Sequence, residues 1–426
     1  MHITVLAIGT RGDVQPLLAL AAGLRRTGRH QVCLAAPDDL EPLAREQGLD
    51  FSPLGMDARR LLGMGDLAAG MESGRNSILW VGQIMRQIRP TLEQLMQNTW
   101  LACRGAERIV FSTMGLGAYH CAEKLGVPCY WAIPFPGLTR TRAFPNPVFP
   151  PLPLGRAYNL WTHRLGEQVL QQLTGRFLNR WRQERFHLPA IPLGTWPYGQ
   201  LHGQPLPVLY TFSPLVVPRP PDWGEHVHMT GYWFLDDPPD WQPPARLVEF
   251  LDAGRPPVYV GFGSMAHRNP QQTTQLVQKA LERSGQRGVL VTGWGGLADA
   301  GLPRTADVFM LDSIPHAWLF PRVAAVVHHG GSGTTGAGLR AGVPSVLVPH
   351  AGDQPFWARR VADMGIGPRP IPRRHLTVER LAAAMTRAVM DEGMRARAAA
   401  IGQTIRAENG IGRAIEVIER GMAPGS

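Results

Sequence analysis

Lysine is almost missing from this chain. Only Lys124 and Lys279 occur, so arginine supplies all the other basic residues of a total of 43. A formal charge of +10 would ordinarily point to nucleic acid, an anionic ligand or an acidic membrane surface. A bias toward Arg, Gly, Pro and Ala also arises from a GC-rich genome, here expected to be bacterial, and no nucleic-acid partner is expected. Cysteine is scarce as well: Cys33, Cys103, Cys121 and Cys129 form no C-x-x-C pair, and Cys33 lies in an apolar, strand-like run. Reduced thiols are expected, which excludes a disulfide framework. No stretch approaches the roughly 18 uninterrupted apolar residues of a bilayer span. The opening residues lack the basic, apolar and small-residue regions of a secretory signal. The expected location is cytoplasmic, at most peripheral at the inner membrane surface.

What is present is enough apolar material for more than one core: 426 residues, 44% hydrophobic. Residues 3–8 are apolar and β-capable, 9–13 read as a turn, 16–26 have helical periodicity closed by Gly28, and 31–36 form the next strand. This βαβ opening implies a parallel sheet covered by helices. Further strands are expected at 108–112 and 128–132. Residues 212–244 are dense in Pro, Asp and Trp, and proline stiffens a connection, so 218–244 is read as a linker. Beyond it strands are expected at 258–262, 289–292, 308–311, 323–328 and 345–348, with helices at about 272–283 and from about Thr334. The domains expected are thus 1–217, 245–405 and a closing helix in 406–426 that returns to the first domain. Two such α/β domains leave a ligand cleft at their strand C-termini.

The most informative segment is VAAVVHHGGSGTTGAGLRAGVPSVLVPHAGDQP. An apolar strand ends in His328 and His329, passes through Gly330 and Gly331, and opens a helix near Thr334. Glycines allow close backbone approach, and the first N–H groups of a helix have no intrahelical partners, so the turn suits a diphosphate. The same residues match G-x-G-x-x-G at Gly331, Gly333 and Gly336, with Asp353 downstream, which would suit a dinucleotide enzyme. That fingerprint normally belongs to the first βαβ unit, however, and here it comes late.

These residues resemble the donor-binding signature of the UDP-glycosyltransferase superfamily with the GT-B fold, two Rossmann-like α/β/α domains. GTRGDVQPLLALAAGL, SPLVVPRPPDWGEHVHMTGYWF and VYVGFGSM are similar to its sterol and glycopeptide-aglycone glucosyltransferase branch. The resemblance implies an inverting transfer of a hexose from a UDP-sugar to a hydroxyl of a hydrophobic acceptor, without a resident cofactor; an epimerase of the same fold is the alternative. It implies diphosphate contacts from His328, Gly331, Ser332, Gly333, Thr334 and Ser264, with His329 packing. Asp353 and Gln354 would hold sugar hydroxyls, Asp353 also being placed to cap a helix. Ile314 would meet the base through its backbone, and Trp294 could stack on it.

Transfer with inversion needs a base for the acceptor proton. Asp13, after the first strand, stands where the resembling branch carries its base, and it could equally cap the following helix. Many relatives use a histidine oriented by an aspartate; Ser112 and Thr113 occupy the partner region here, so direct action by the carboxylate is expected. No D-x-D triplet occurs, and His226 and His228 lack a third ligand, so no metal is expected. YWAIPFPGL and NPVFPPLPLG offer apolar surface, although ordinary core is expected for most of it. Trp161, Leu165, Val169, Leu173, Phe177 and Trp181 recur at helical spacing beside arginines, a pattern of a packed helix or of one touching an anionic membrane.

Overall fold

The computed structural model describes residues 1–57, 89–236, 241–263, 269–293, 297–298 and 306–421. The chain divides into two compact units. The first holds residues up to Leu235 together with the chain's last helix, and the second holds Asp236–Glu408.

The first unit alternates strand and helix: β1 (His2–Leu6), α1 (Arg11–Arg26), β2 (Gln31–Ala36), α2 (Glu41–Glu46), β3 (Asp50–Pro53), α3 (Arg89–Cys103), β4 (Arg108–Ser112), α4 (Gly117–Leu125) and β5 (Cys129–Ile133). A long helix, α5 (Gly155–Trp181), and a two-stranded hairpin, β6 (Gln200–Leu201) and β7 (Gln204–Pro205), precede β8 (Val208–Tyr210) and β9 (Val227–Met229). Seven strands pair in the order β3-β2-β1-β4-β5-β8-β9, all in parallel. The central strands are buried along their length, as a sheet covered on both faces requires. β9 falls inside the proline-rich stretch read as a linker, so part of that stretch is sheet.

The helix α1 begins at Arg11, five residues before the helical periodicity becomes visible. Thr10 and Asp13 form a capping box that satisfies the first N–H groups. Pro16, which looks like a helix start in sequence, instead lies inside the helix. Residues 9–13 are therefore half loop and half first turn.

In α5 the buried positions are mostly polar: Thr162, His163, Glu167 and Gln171 face inward, with Gly175 and Leu178. Arg140 donates to both carboxylate oxygens of Glu167, at 2.6 to 2.9 Å, which is what permits burial of that charge. The apolar stripe is offset from this face. Leu165, Val169, Leu173, Phe177 and Trp181 are half-buried, and Trp161 is exposed.

The second unit runs α6 (Ala245–Asp252), β10 (Val258–Gly261), α7 (Pro270–Ser284), β11 (Gly288–Val291), β12 (Val308–Leu311), α8 (His316–Leu319), β13 (Ala325–His328), α9 (Ser332–Ala341), β14 (Ser345–Leu347), α10 (Gln354–Asp363), α11 (Val378–Met390) and α12 (Glu392–Ala407). Its five parallel strands lie in the order β12-β11-β10-β13-β14. Apolar side chains of β10, β11 and β13 fill cores on both faces.

The last helix, α13 (Gly410–Arg420), returns to the first unit. Ala414, Ile415 and Ile418 join the core beneath α1 and β1. A Cβ on Gly23 of α1 would stand 2.5 Å from Ile411, so glycine is what lets the two helices close up. Tyr130 donates to the Ile418 carbonyl at 3.1 Å, and His30 meets Glu419 at 2.7 Å.

Candidate functional site

In a parallel α/β sheet the loops at the strand carboxyl ends gather where crossovers to either side diverge, and ligands bind there. In the second unit that edge carries Phe262 and Gly263 after β10, Thr292 and Gly293 after β11, Asp312 after β12, His329 to Gly331 after β13, and His350 after β14. A Cβ on Gly293 would fall 2.6 Å from the Gly263 carbonyl oxygen, so the first two loops touch. Gly293 N–H donates to the Asp312 carbonyl at 3.1 Å, and Thr292 Oγ1 donates to the Asp312 carboxylate at 2.9 Å, tying in the third.

The β13–α9 connection is the centre of this edge. Gly330 has φ +89°, a conformation that a side chain would strain. Gly331 is the N-cap of α9, with extended backbone, so Ser332, Gly333 and Thr334 occupy the first turn. Gly333 is exposed and its two neighbours half-buried, which leaves that turn accessible. Its N–H groups and the positive end of the helix dipole form an anion site.

The two histidines part company at the strand end, because successive side chains of a strand point to opposite faces. His328 is paired within the sheet to Gly261 and Leu347 and is fully enclosed. The Gly330 N–H donates to its Nδ1 at 3.1 Å, so the proton sits on Nε2, which has no hydrogen-bond partner among the described residues. Burial, with His329 and His316 nearby, holds its pKa well below the ordinary value. In this conformation the ring is enclosed and braces the glycine turn through Nδ1.

His329 lies at the loop. Its Nε2 sits against Gly331 and its Cε1 against Gly263, both positions that only a missing side chain keeps open. Burial pushes its pKa down to about 4, so it is neutral at pH 7, with one ring N–H to donate. Reading the strand as period two from Ala325 would have placed the two histidines on opposite faces.

Asp353 is the N-cap residue of α10, but its carboxylate makes no cap bond; it accepts from Trp357 Nε1 at 2.9 Å. Gln354 is buried, and its Oε1 accepts from the backbone N–H groups of His350, at 2.8 Å, and Ala351, at 3.4 Å. A Cβ on Gly330 would stand 3.2 Å from the Gln354 carbonyl oxygen. The acid–Gln pair and the glycine turn are therefore neighbours. Ile314 lies between β12 and α8 with its side chain in the core, which leaves only its backbone for a ligand. Ser264 and Trp294 lie outside the described residues.

In the first unit, the carboxyl end of β1 leads to Gly9, Thr10 and Asp13. Asp13 Oδ2 accepts from Thr10 N–H at 2.8 Å and from Thr10 Oγ1 at 3.0 Å. Its Oδ1 has no partner among the described residues. Protein packed around the carboxyl raises its pKa, and the two bonds from Thr10 pull it back. The side chain is nonetheless exposed to solvent. That access to water, with two donors already on Oδ2, favours the carboxylate form. Gly9 has φ +137°, and a Cβ there would stand 2.5 Å from Asp13 Oδ2. Ser112 Oγ accepts from Ile8 N–H at 2.9 Å, so it braces the β1–β4 edge and leaves Asp13 without a serine relay.

Two family models match the chain: the glycosyltransferase family 28 N-terminal domain over residues 3–142, and the erythromycin biosynthesis protein CIII-like C-terminal domain over residues 300–416. The sterol 3-beta-glucosyltransferases of Cryptococcus neoformans var. neoformans serotype D (strain JEC21) and Emericella nidulans are 37% and 36% identical over 99% of this chain. The chain spans 27% and 30% of their lengths, so it corresponds to about a quarter to a third of those proteins. They are fungal and lend no support to a bacterial source. Among solved structures, the glycotransferase of kitacinnamycin superposes with a TM-score of 0.70 at 21% identity over 98% of both chains. The calicheamicin glycosyltransferase CalG4 gives 0.69 at 18% over 99% of both. A Streptomyces glycosyltransferase, SsfS6, complexed with thymidine diphosphate, gives 0.62 at 20% over 99% of both. At these identities the likeness concerns the fold.

Proposed function

The chain belongs to the UDP-glycosyltransferase superfamily with the GT-B fold, and on that premise we propose that it transfers glucose from UDP-glucose to the hydroxyl of a sterol-type acceptor, inverting the anomeric centre without a metal ion. The observation that carries this reading is the accessible first turn of α9 beside a neutral His329, at the carboxyl edge of the second sheet. Backbone N–H groups of Ser332, Gly333 and Thr334, with the His329 ring N–H, present donors to a diphosphate. They supply the stabilisation of a leaving group that a cation supplies elsewhere. Asp353 and Gln354 would hold sugar hydroxyls, and the Ile314 backbone the base.

Asp13 serves as base. Its Oδ2 is held by Thr10, and Oδ1 is left to take the acceptor's hydroxyl proton while the acceptor oxygen bonds to the anomeric carbon. The bond from that carbon to the diphosphate breaks on the opposite face, and UDP departs. A sterol acceptor is supported by the name of the relatives at 36 to 37% identity. None of the relatives named above is an epimerase, and a base at the first strand suits transfer to a separate hydroxyl.

The test is to incubate the protein with α-linked UDP-glucose and a detergent-dispersed sterol, with and without EDTA, and to read the product's anomeric proton by NMR. A β-glucoside formed equally in EDTA is expected. An α-glucoside, an absolute magnesium requirement, or turnover with the dTDP-sugar alone would each overturn the corresponding part of the reading.

A further inference from the structure

Nine large apolar side chains are exposed among the described residues, and four of them, Val148, Leu152, Leu154 and Trp161, fall within 14 residues of one another. Leu154 is 63% exposed and Trp161 55%. Scattered single apolar residues need no explanation, but four within so short a stretch do. This group is held together by short bonds. Tyr158 of α5 donates to the Pro150 carbonyl at 2.7 Å and its ring stacks on Trp161, with centroids 6.2 Å apart. Leu152 and Leu154 N–H groups donate back along the segment at 3.0 and 2.8 Å. Pro150, Pro151 and Pro153 stiffen it further, so the side chains are displayed on a preformed ledge and little ordering is left to binding.

Basic charge outweighs acidic charge around the ledge. From Lys124 to Gly166 the chain contains no Asp or Glu, and Arg156 and Arg164 are exposed beside the apolar group. Glu167, the next acid, is buried and paired with Arg140. Asp222 lies near Arg156 and keeps its negative charge, accepting from Thr141 Oγ1 and the Arg142 N–H, each at 2.7 Å, and the two arginines outnumber it. Exposed Leu, Val and Trp side chains with two exposed arginines in the same stretch match the boundary between headgroups and acyl chains. The half-buried stripe of α5 is less suited to this than the ledge before it.

We propose that residues 148–164 form a docking surface for an anionic lipid bilayer, the apolar side chains entering the acyl boundary and Arg156 and Arg164 pairing with headgroups. The reading of a sterol-type acceptor gives such docking a purpose, since that acceptor resides in membranes, and the proposal rests on it only to that extent.

Sedimentation with vesicles of phosphatidylcholine, with and without phosphatidylglycerol, tests it. The wild-type chain is expected to bind the anionic vesicles, less so in high salt. Leu152→Ser/Leu154→Ser/Trp161→Ser is expected to lower that binding by about tenfold or more with an unchanged melting temperature, and Arg156→Gln/Arg164→Gln to erase the preference for anionic lipid. Absence of vesicle binding by the wild type, equal binding by the serine variant, or self-association of the wild type that the serine variant abolishes while vesicles are ignored would each overturn the proposal. Glucosylation of a detergent-dispersed sterol reports on the functional reading separately: vesicle binding without turnover sinks that reading, and turnover without vesicle binding sinks this one.

Discussion

Asp13 is at once a capping residue and the assigned base, and the two roles can be separated by one atom. Asp13→Asn keeps the shape and an oxygen for Thr10, so the helix start should survive. Transfer should fall about a hundred- to ten-thousand-fold, roughly 3 to 5 kcal/mol of transition-state stabilisation, with UDP affinity unchanged. Steady-state kinetics beside calorimetric UDP titration decide this; normal turnover with a lower melting temperature would reduce Asp13 to a cap. The histidines give a paired contrast. His329→Ala should weaken UDP binding about ten- to a hundredfold and lower turnover in step, the range for losing a hydrogen bond to a charged group. His328→Ala should chiefly lower the melting temperature, because it opens a cavity in a closed core. Equal loss of UDP affinity in both variants would mean that His328 reaches the ligand after all.

Among the elements, the strands were the most legible in sequence. Residues 31–36, 108–112 and 308–311 coincide with β2, β4 and β12, because uninterrupted apolar runs bounded by turn residues are what a doubly covered parallel sheet needs. The glycine turn before α9 was legible too, since few other jobs require that string. The start of α1 was obscured by Pro16, while the Thr10–Asp13 box, which does obey a local pattern, outweighed it. The inward face of α5 was hidden altogether. Its buried residues are polar and owe their burial to partners distant in sequence, such as Arg140 for Glu167, and periodicity of apolar residues carries no trace of that. The split between His328 and His329 depends on where the strand ends, the feature that single-sequence reading locates least well. The helix α13 yields a prediction at this scale. Ending the chain at Glu408 would strip Ala414, Ile415 and Ile418 from the core beneath α1, and at about 1.5 to 3 kcal/mol for each large side chain the loss exceeds about 3 kcal/mol. Such a chain should melt well below the 426-residue chain or fail to fold, as seen by circular dichroism; an unchanged melting temperature would show that α13 is an ornament of the first unit.

For the molecule as a whole, acid should be harmful earlier than carboxylate chemistry alone would suggest. His328, His329, His120 and His163 are all kept neutral by burial, with pKa values below the ordinary 6.5. An unfolded chain takes up those protons near pH 6.5 while the folded one does not, so stability is full above that pH and is lost as the pH falls toward the folded values. For His329 the window runs from 6.5 to about 4, which corresponds to about 3 kcal/mol. Urea denaturation at pH 7.5, 6 and 5 should show a steady fall, partly flattened in His329→Gln. A profile level down to pH 5 would contradict the burial of these rings.

The return of α13 also bears on how the chain is made. Ribosomes deliver β1 to β9 first, then all of Asp236–Glu408, and only afterwards the helix whose Ile415 and Ile418 complete the packing against α1. At about 5 to 20 residues per second the interval between β9 and α13 is on the order of ten to thirty seconds. Throughout it the apolar face of α1 awaits a partner still being synthesised. The first unit, begun before the second, is therefore finished after it, and the nascent chain is a client for whatever shields hydrophobic surface during that delay.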